Sequence, residues 1–264
     1  MSEYSTKKKR SSENFRLLPV EITTDIMLRL PLKSLLTCTA VCKSWNSLFK
    51  SLFKTSDFIE DHLNATIQFY RQNDVHNLLI RKQVESYSLY RHNPSELGTS
   101  DQHIELPYPS KFKADLQSFH DRSWLRRMVG TCNGLVCLAG ATEDITIIIW
   151  NPTVRKFVIL PRPVDIFNYD ENPRQTHHAF GHDPRNYKVL RIVSDRKEEP
   201  AVRVEVYSLA RGSWRSLLAA AVPACFKPAD ESSYFINGAS HWIQKTRKRV
   251  GKRRVCNHVV QYGN

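Results

Sequence analysis

No apolar run in this 264-residue chain is longer than the six residues at 217–222, where a bilayer-spanning helix needs about 20. The first twenty residues lack the apolar core of a signal peptide and offer Lys7-Lys-Lys-Arg10 before a polar stretch instead. These absences read as a soluble, non-secreted protein with no membrane partner, cytoplasmic and/or nuclear. There is no Cys-x-x-Cys, and six cysteines (38, 42, 132, 137, 225 and 256) are too few and too scattered for a disulfide scaffold. Cys38 and Cys42, one helical turn apart in an apolar segment, read as small packed residues rather than metal ligands. Also missing are a P-loop, Gly-x-Ser-x-Gly, His-Glu-x-x-His and a dinucleotide fingerprint. The expectation is a protein without catalytic residues, cofactor or metal.

Acidic residues are missing from one place. Residues 244–264 hold seven Lys and Arg and no Asp or Glu, so +7 of the net +13 lies there, mostly in the run at 245–254. A nucleic-acid-binding face would spread basic residues over a folded domain with aromatics among them, so that partner is disfavoured. The run reads as a solvated hairpin loop, with nuclear import as the sharper alternative. What remains is ordinary for a globular chain of one or two domains, with 41% hydrophobic and 25% charged residues.

Two textures divide it. Up to about Phe58 the apolar period is helical; after about Asn77 short strand-like runs alternate with Asn-Gly, Asn-Pro and Asp-Pro turns. Pro19 suits a helix start, and Ile22, Ile26 and Leu30 form one stripe that Pro31 ends. Second and third helical pieces follow near 32–40 and 42–52, the latter presenting Trp45, Leu48, Phe49 and Leu52. A unit of about 45 residues has too little interior for so many large apolar side chains, so part of that surface should meet the next domain or another protein.

The strand-like part repeats. Val84-Glu-Ser-Tyr-Ser-Leu89 and Val204-Glu-Val-Tyr-Ser-Leu209 share five of six residues, and Ile147-Ile-Ile-Trp-Asn-Pro152 has the same shape. Trp150 is followed by Phe157 and Leu160, and Tyr207 by Trp214 and Leu217, at equal offsets. Aromatics at 87, 150, 207 and 262 are spaced 63, 57 and 55 residues apart, near the period of a kelch-type propeller blade. The reading is three units and the first strand of a fourth, short of the roughly four to eight blades of a closed ring. Either the ring is completed in another way or the domain is truncated with an open strand edge.

The segment Leu17-Leu-Pro-Val-Glu-Ile-Thr-Thr-Asp-Ile-Met-Leu-Arg-Leu-Pro-Leu-Lys-Ser-Leu-Leu36 with Val41-Cys-Lys-Ser-Trp45 resembles the F-box of plant F-box proteins. Gly130-Thr-Cys-Asn-Gly134, Trp150-Asn-Pro152, Phe180-Gly-His-Asp183 and Asn237-Gly-Ala-Ser-His-Trp242 resemble the F-box-associated domain of that family. The resemblance implies an α+β multidomain chain: a basic tail at 1–14, a three-helix F-box at 15–58, a linker at 59–76, and an all-β, propeller-like domain at 77–264. It implies a non-catalytic substrate receptor of a Skp–cullin–F-box ubiquitin ligase, with a Skp-type adaptor, cullin through it, and an unknown protein substrate as partners. Carried onto this chain, the adaptor contacts are Leu18, Pro19, Ile22, Ile26, Leu30, Pro31, Leu35, Leu36, Val41, Cys42 and Trp45. On the blander assignment, some of these, Ile26, Leu36 and Trp45 among them, are expected to hold the three helices together. Two departures stand out: Thr37-Cys-Thr39 replaces the Arg or aromatic residues common in the family, and relatives continue beyond the position of Val260. The alternatives are a truncated receptor that occupies the adaptor without delivering substrate, and a basic nucleic-acid-binding or nuclear scaffold. His177, His178, His182 and Asp183 make the best candidate metal cluster, and a turn histidine at 182 is the preferred reading.

Overall fold

The computed structural model describes residues 19–83, 86–92, 102–107, 127–140, 146–163, 174–183, 186–195, 202–217, 233–246 and 254–261. Two compact units divide the chain, Met1–Leu79 with Leu89–Ile104 and Ile80–Ser88 with Glu105–Asn264.

Four helices belong to the first unit: α1 (Val20–Arg29), α2 (Leu32–Cys38), α3 (Lys43–Leu52) and α4 (Ser56–Gln72). Pro19 precedes α1, and its carbonyl accepts the amide of Thr23 at 3.1 Å. Leu30 turns to extended geometry (φ −82°, ψ 140°), as the residue before a proline must. The chain re-enters a helix behind Pro31, whose carbonyl accepts the amide of Leu35.

The core of this unit consists of Met27, Leu35, Phe49 and Phe58, one residue from each helix, with Leu28, Leu30, Cys38, Trp45, Leu52 and Phe53 packed around them. Trp45, Phe49, Phe53 and Phe58 run as a ladder of rings with centroids 5.9, 5.7 and 6.1 Å apart, the range in which tilted aromatic pairs attract. The inward stripe of α1 departs from the spacing of Ile22 and Ile26. Thr23 and Met27 are the buried residues of this helix, one position later and so about 100° further round. Thr23 can be buried because its hydroxyl donates to the Pro19 carbonyl at 3.2 Å. Met27 has the flexible side chain that an irregular gap between helices requires.

The expected linker at 59–76 is in its greater part helix α4, so the unit has four helices rather than three. Hydropathy hid it because half-buried positions along it include the polar His62 and Thr66. Thr66 returns its hydroxyl to the His62 carbonyl at 2.8 Å.

Among the described residues fourteen strands follow in four sheets. They are β1 (His76–Gln83), β2 (Ser86–His92) and β3 (Gln102–Pro107); β4 (Arg127–Cys132), β5 (Leu135–Ala139), β6 (Ile147–Asn151) and β7 (Lys156–Ile159); β8 (Arg174–Asp183), β9 (Asn186–Asp195), β10 (Val202–Ser208) and β11 (Ser213–Leu217); and β12 (Tyr234–Ile236), β13 (Ala239–Thr246) and β14 (Arg254–Gln261). In every sheet neighbouring strands are neighbours in sequence. The fourth unit is therefore a three-stranded sheet and not a first strand alone. Tyr262 follows the third strand of that sheet, just as Trp150 and Tyr207 lie on the third strands of theirs, so counting from the aromatics undercounted it.

The repeat offsets are hairpin registers. Trp150 pairs with Phe157 and Tyr207 with Trp214 across antiparallel neighbours. Asn133-Gly134 and Asn237-Gly238 all take positive φ, the conformation that two-residue hairpin turns need. Tyr87, Trp150 and Tyr207 are buried, and the rings of Tyr87 and Trp150 lie 5.5 Å apart; Tyr262 lies outside the described residues.

Facing sheets pack through their apolar sides. Val129, Cys137, Ala139, Ile147 and Ile149 of the second sheet meet Phe180, Val189, Tyr207 and Trp214 of the third. Leu190, Ile192, Val204 and Val206 on the opposite face of the third sheet meet Trp242 of the fourth. The first strands converge: β4 lies against β8, and β12 against both. Ser233, just before β12, donates its hydroxyl to the Val129 carbonyl at 3.3 Å. This is blade-like stacking around first strands, and the described strands do not close it into a ring.

One ion pair is buried in this stack. Arg191 of β9 sits opposite Glu205 of β10, and its Nη1 donates to Oε2 at 2.5 Å with both side chains about 95% covered. Removing one partner leaves a desolvated charge, which costs about 3–5 kcal/mol, whereas replacing both by apolar groups of similar volume is often neutral. Glu205→Ala should therefore lower the urea midpoint of the β unit strongly, and Arg191→Met with Glu205→Leu should restore most of it. Tryptophan fluorescence during urea unfolding checks this.

Candidate functional site

The helices bury one set of apolar residues and leave another outside. Ile22 (49% exposed), Ile26 (38%), Leu36 (36%) and Val41 (65%) each keep a third or more of their surface open. Pro19, Pro31 and Cys42 are exposed as well. Ile22 and Ile26 lie one turn apart on α1 and flank the buried stripe; Leu36 is on α2, and Val41 and Cys42 form the turn into α3. That turn is held by the amides of Ala40 and Val41 on the carbonyls of Thr37 and Cys38 at 3.0 and 3.2 Å.

The sequence-derived contact set thus divides. Pro19, Ile22, Ile26, Pro31, Leu36, Val41 and Cys42 lie at the surface. Leu35 is wholly buried in the four-helix core, so it supports the face rather than forming part of it. Leu30 and Trp45 are half-buried, Trp45 with its ring against Phe49. Leu18 lies outside the described residues. Of the three residues expected to hold the helices together, Trp45 packs on the core, while Ile26 and Leu36 point outward. The sequence reading passed over Val20 on α1 and Ile59 on α4, both more than half exposed. Ile59 fell in the segment taken as a linker, and only recognition of α4 would have drawn attention to it.

The Thr37-Cys-Thr39 segment adds little to an apolar face. The Thr37 hydroxyl donates to the Lys33 carbonyl at 3.0 Å and that of Thr39 to Leu36 at 2.6 Å, so both are spent on their own helix.

His177, His178 and His182 do not converge. His177 and His178 are consecutive on β8 and leave opposite faces of the sheet. His182 is on the same strand rather than in a turn, about 13 Å along it from His178, with its ring 4.7 Å from that of Tyr187. Asp183 pairs with Lys188. Among the described residues no group of three or more His, Cys, Asp or Glu is placed to hold a metal ion. Of the basic run, residues 247–253 lie outside the described residues. They connect strands whose last pair is Thr246 with Arg254. Exposed apolar side chains of the β unit include Val158 and Ile159 on β7 and Tyr234 and Ile236 on β12.

Cysteine chemistry separates the two units. Burial pushes the Cys132 thiol up to about 11 and drives that of Cys137 higher still. A raised thiol stays protonated, so at pH 8 only about one Cys132 in a thousand is the reactive thiolate. Cys42 is exposed. Iodoacetamide at pH 8 should alkylate Cys42 in the folded chain and leave Cys132 and Cys137 unmodified; peptide mass spectrometry reads the order.

Comparison with known proteins agrees with this arrangement. A family model described as F-box-like matches residues 15–58, and one described as F-box associated beta propeller domain matches residues 81–261. F-box protein At1g48060 of Arabidopsis thaliana is 29% identical over 207 residues, which cover 76% of this chain and 49% of that protein. F-box protein CPR1 of the same plant is 28% identical over 210 residues, 76% of this chain and 45% of its own length. F-box/kelch-repeat protein At3g23880 is 28% identical over 234 residues, 85% of this chain and 58% of its own. The chain thus spans about half the length of these relatives. No solved structure matches it. With the β-unit model covering more than half of its residues and the F-box model ahead of it, this chain belongs to the plant F-box proteins that carry a C-terminal F-box associated beta propeller domain.

Proposed function

We propose that the chain is a substrate-receptor subunit of a Skp–cullin–F-box ubiquitin ligase. Its helical unit docks on a Skp-type adaptor, and its β unit captures the protein to be modified. The observation that carries this reading is the partly open apolar set on the segment matched by the F-box model: Ile22, Ile26, Leu36 and Val41 flank a core formed by Met27, Leu35, Phe49 and Phe58 and keep a third or more of their surface exposed. Burying such a side chain contributes about 1.5–3 kcal/mol, a gain available only to a partner that covers it. Pro19, Pro31 and Cys42 are exposed alongside them and extend the same surface.

A receptor of this kind performs no bond chemistry itself. It raises the effective concentration of a substrate lysine near a ubiquitin-loaded conjugating enzyme, converting a bimolecular encounter into one within a single assembly. The demand on this chain is rigidity and two binding faces, and the helical core and stacked sheets supply rigidity.

Because Ile22 and Val41 are exposed, Ile22→Asp with Val41→Asp should leave thermal unfolding of the helical unit within a degree or two. Binding to a purified Skp-type adaptor should weaken more than about tenfold, since two apolar contacts are lost and two charges must be desolvated. Leu35→Ala should do the converse, costing about 2–5 kcal/mol of stability through a core cavity. Calorimetric titration and thermal melts separate these outcomes. A reconstituted ligase that ubiquitinates no protein captured by the full chain, while adaptor binding persists, overturns the substrate-receptor reading.

A further inference from the structure

We propose that His62, on α4 and beyond the residues matched by the F-box model, is a positioning residue for the adaptor-binding face; this rests on the adaptor reading above. The carbonyls in the last turn of a helix lack intrahelical donors, and because Leu30 turns extended before Pro31 no further turn of α1 supplies one. The Leu30 carbonyl, at the corner between α1 and α2, receives its hydrogen bond from His62 Nε2, 32 residues away, at 2.9 Å in a partly buried setting. The bond requires the proton on Nε2, because the carbonyl can only accept.

The ring is itself fixed. It stacks on Phe58 one turn earlier, with centroids 6.2 Å apart and planes 28° from parallel, and Phe58 belongs to the four-helix core. His62 therefore ties the Leu30–Pro31 corner to the most rigid part of the unit. That corner sets the direction of α2 relative to α1, and so the relation of Ile22 and Ile26 on one side to Leu36 and Val41 on the other. A face held in its bound geometry before contact loses less freedom on binding. The adaptor module of this chain accordingly runs through α4 and does not stop at residue 58.

The test uses the full chain, its His62→Leu variant, which keeps the bulk without the donor, and its His62→Gln variant, which keeps an N–H. Against a purified Skp-type adaptor, His62→Leu should bind about fivefold more weakly, the worth of one net hydrogen bond, and His62→Gln within about twofold of the parent. In the free chain, long-range ¹H–¹⁵N spectra should show the Nε2–H tautomer, and the Leu35 amide should exchange faster in His62→Leu than in the parent or in His62→Gln. Equal binding by parent and His62→Leu overturns the proposal, as does a loss in His62→Gln as large as in His62→Leu. A parent chain that does not bind the adaptor overturns the receptor reading instead. In that case the spectrum and the exchange rates still decide the corner: an Nδ1–H tautomer or unchanged exchange overturns the positioning role.

Discussion

Pro31 has no N–H to give, so the hydrogen-bond ladder of α1 cannot run through it, and Leu30 is pushed into extended geometry. This one constraint divides what would otherwise be a continuous apolar segment into two helices that meet at a corner. A continuous helix would carry Ile22, Ile26, Met27, Leu35 and Leu36 along one rod, and no core could gather the required subset. The break lets Met27 and Leu35 turn toward Phe49 and Phe58, while their neighbours Ile26 and Leu36 stay outside. It also leaves the Leu30 carbonyl to be satisfied from elsewhere, and His62 of α4 supplies the donor.

The β unit follows a different rule with a similar result. The second and third sheets each place an aromatic on the third strand and a second one across the hairpin, at Trp150 with Phe157 and Tyr207 with Trp214. The bulk of these rings sets the spacing of the stacked sheets, and Trp214 adds a donor, its indole Nε1 reaching the Pro161 carbonyl at 2.7 Å. That bond ties the outer strand of the third sheet to the segment leaving the second. Between the same faces lies the Arg191–Glu205 pair. A buried pair of this type adds little net stability over an apolar isostere. It does penalise any slip of β9 against β10, because a one-residue shift would strand both charges on opposite faces.

Much of this could be read from the residues. Pro31 marks the break, the two Asn-Gly pairs mark hairpin turns, and the aromatic repeat marks the blades, since each signal is local and its geometry is nearly forced. The inward face of α1 could not be read, because Ile22 and Ile26 look more apolar than Thr23. The choice depends on Thr23 satisfying its own hydroxyl at the Pro19 carbonyl and on Met27 fitting among side chains distant in sequence. Helix α4 was obscured because His62 and Thr66 sit at half-buried positions and use their polar atoms on carbonyls, which hydropathy counts as solvent-seeking. The candidate face was legible as a list of residues through resemblance. Its division into Leu35 beneath and Ile26 and Leu36 above required coordinates.

That division has an energetic consequence. Residues adjacent in sequence carry opposite duties: Met27 and Leu35 hold the unit, and Ile26 and Leu36 remain available to a partner. Ile26 and Leu36 are only partly covered, so the unit's stability rests mainly on a small core, the aromatic ladder from Trp45 to Phe58 and the helix ends. A core of this size is marginal, and association with a partner that covers the outer set would stabilise the fold by mass action as well as assemble the complex. A partner docked on the outer set would then be coupled to folding through the corner at Leu30–Pro31, where a change in either helix alters both the packing beneath and the surface above.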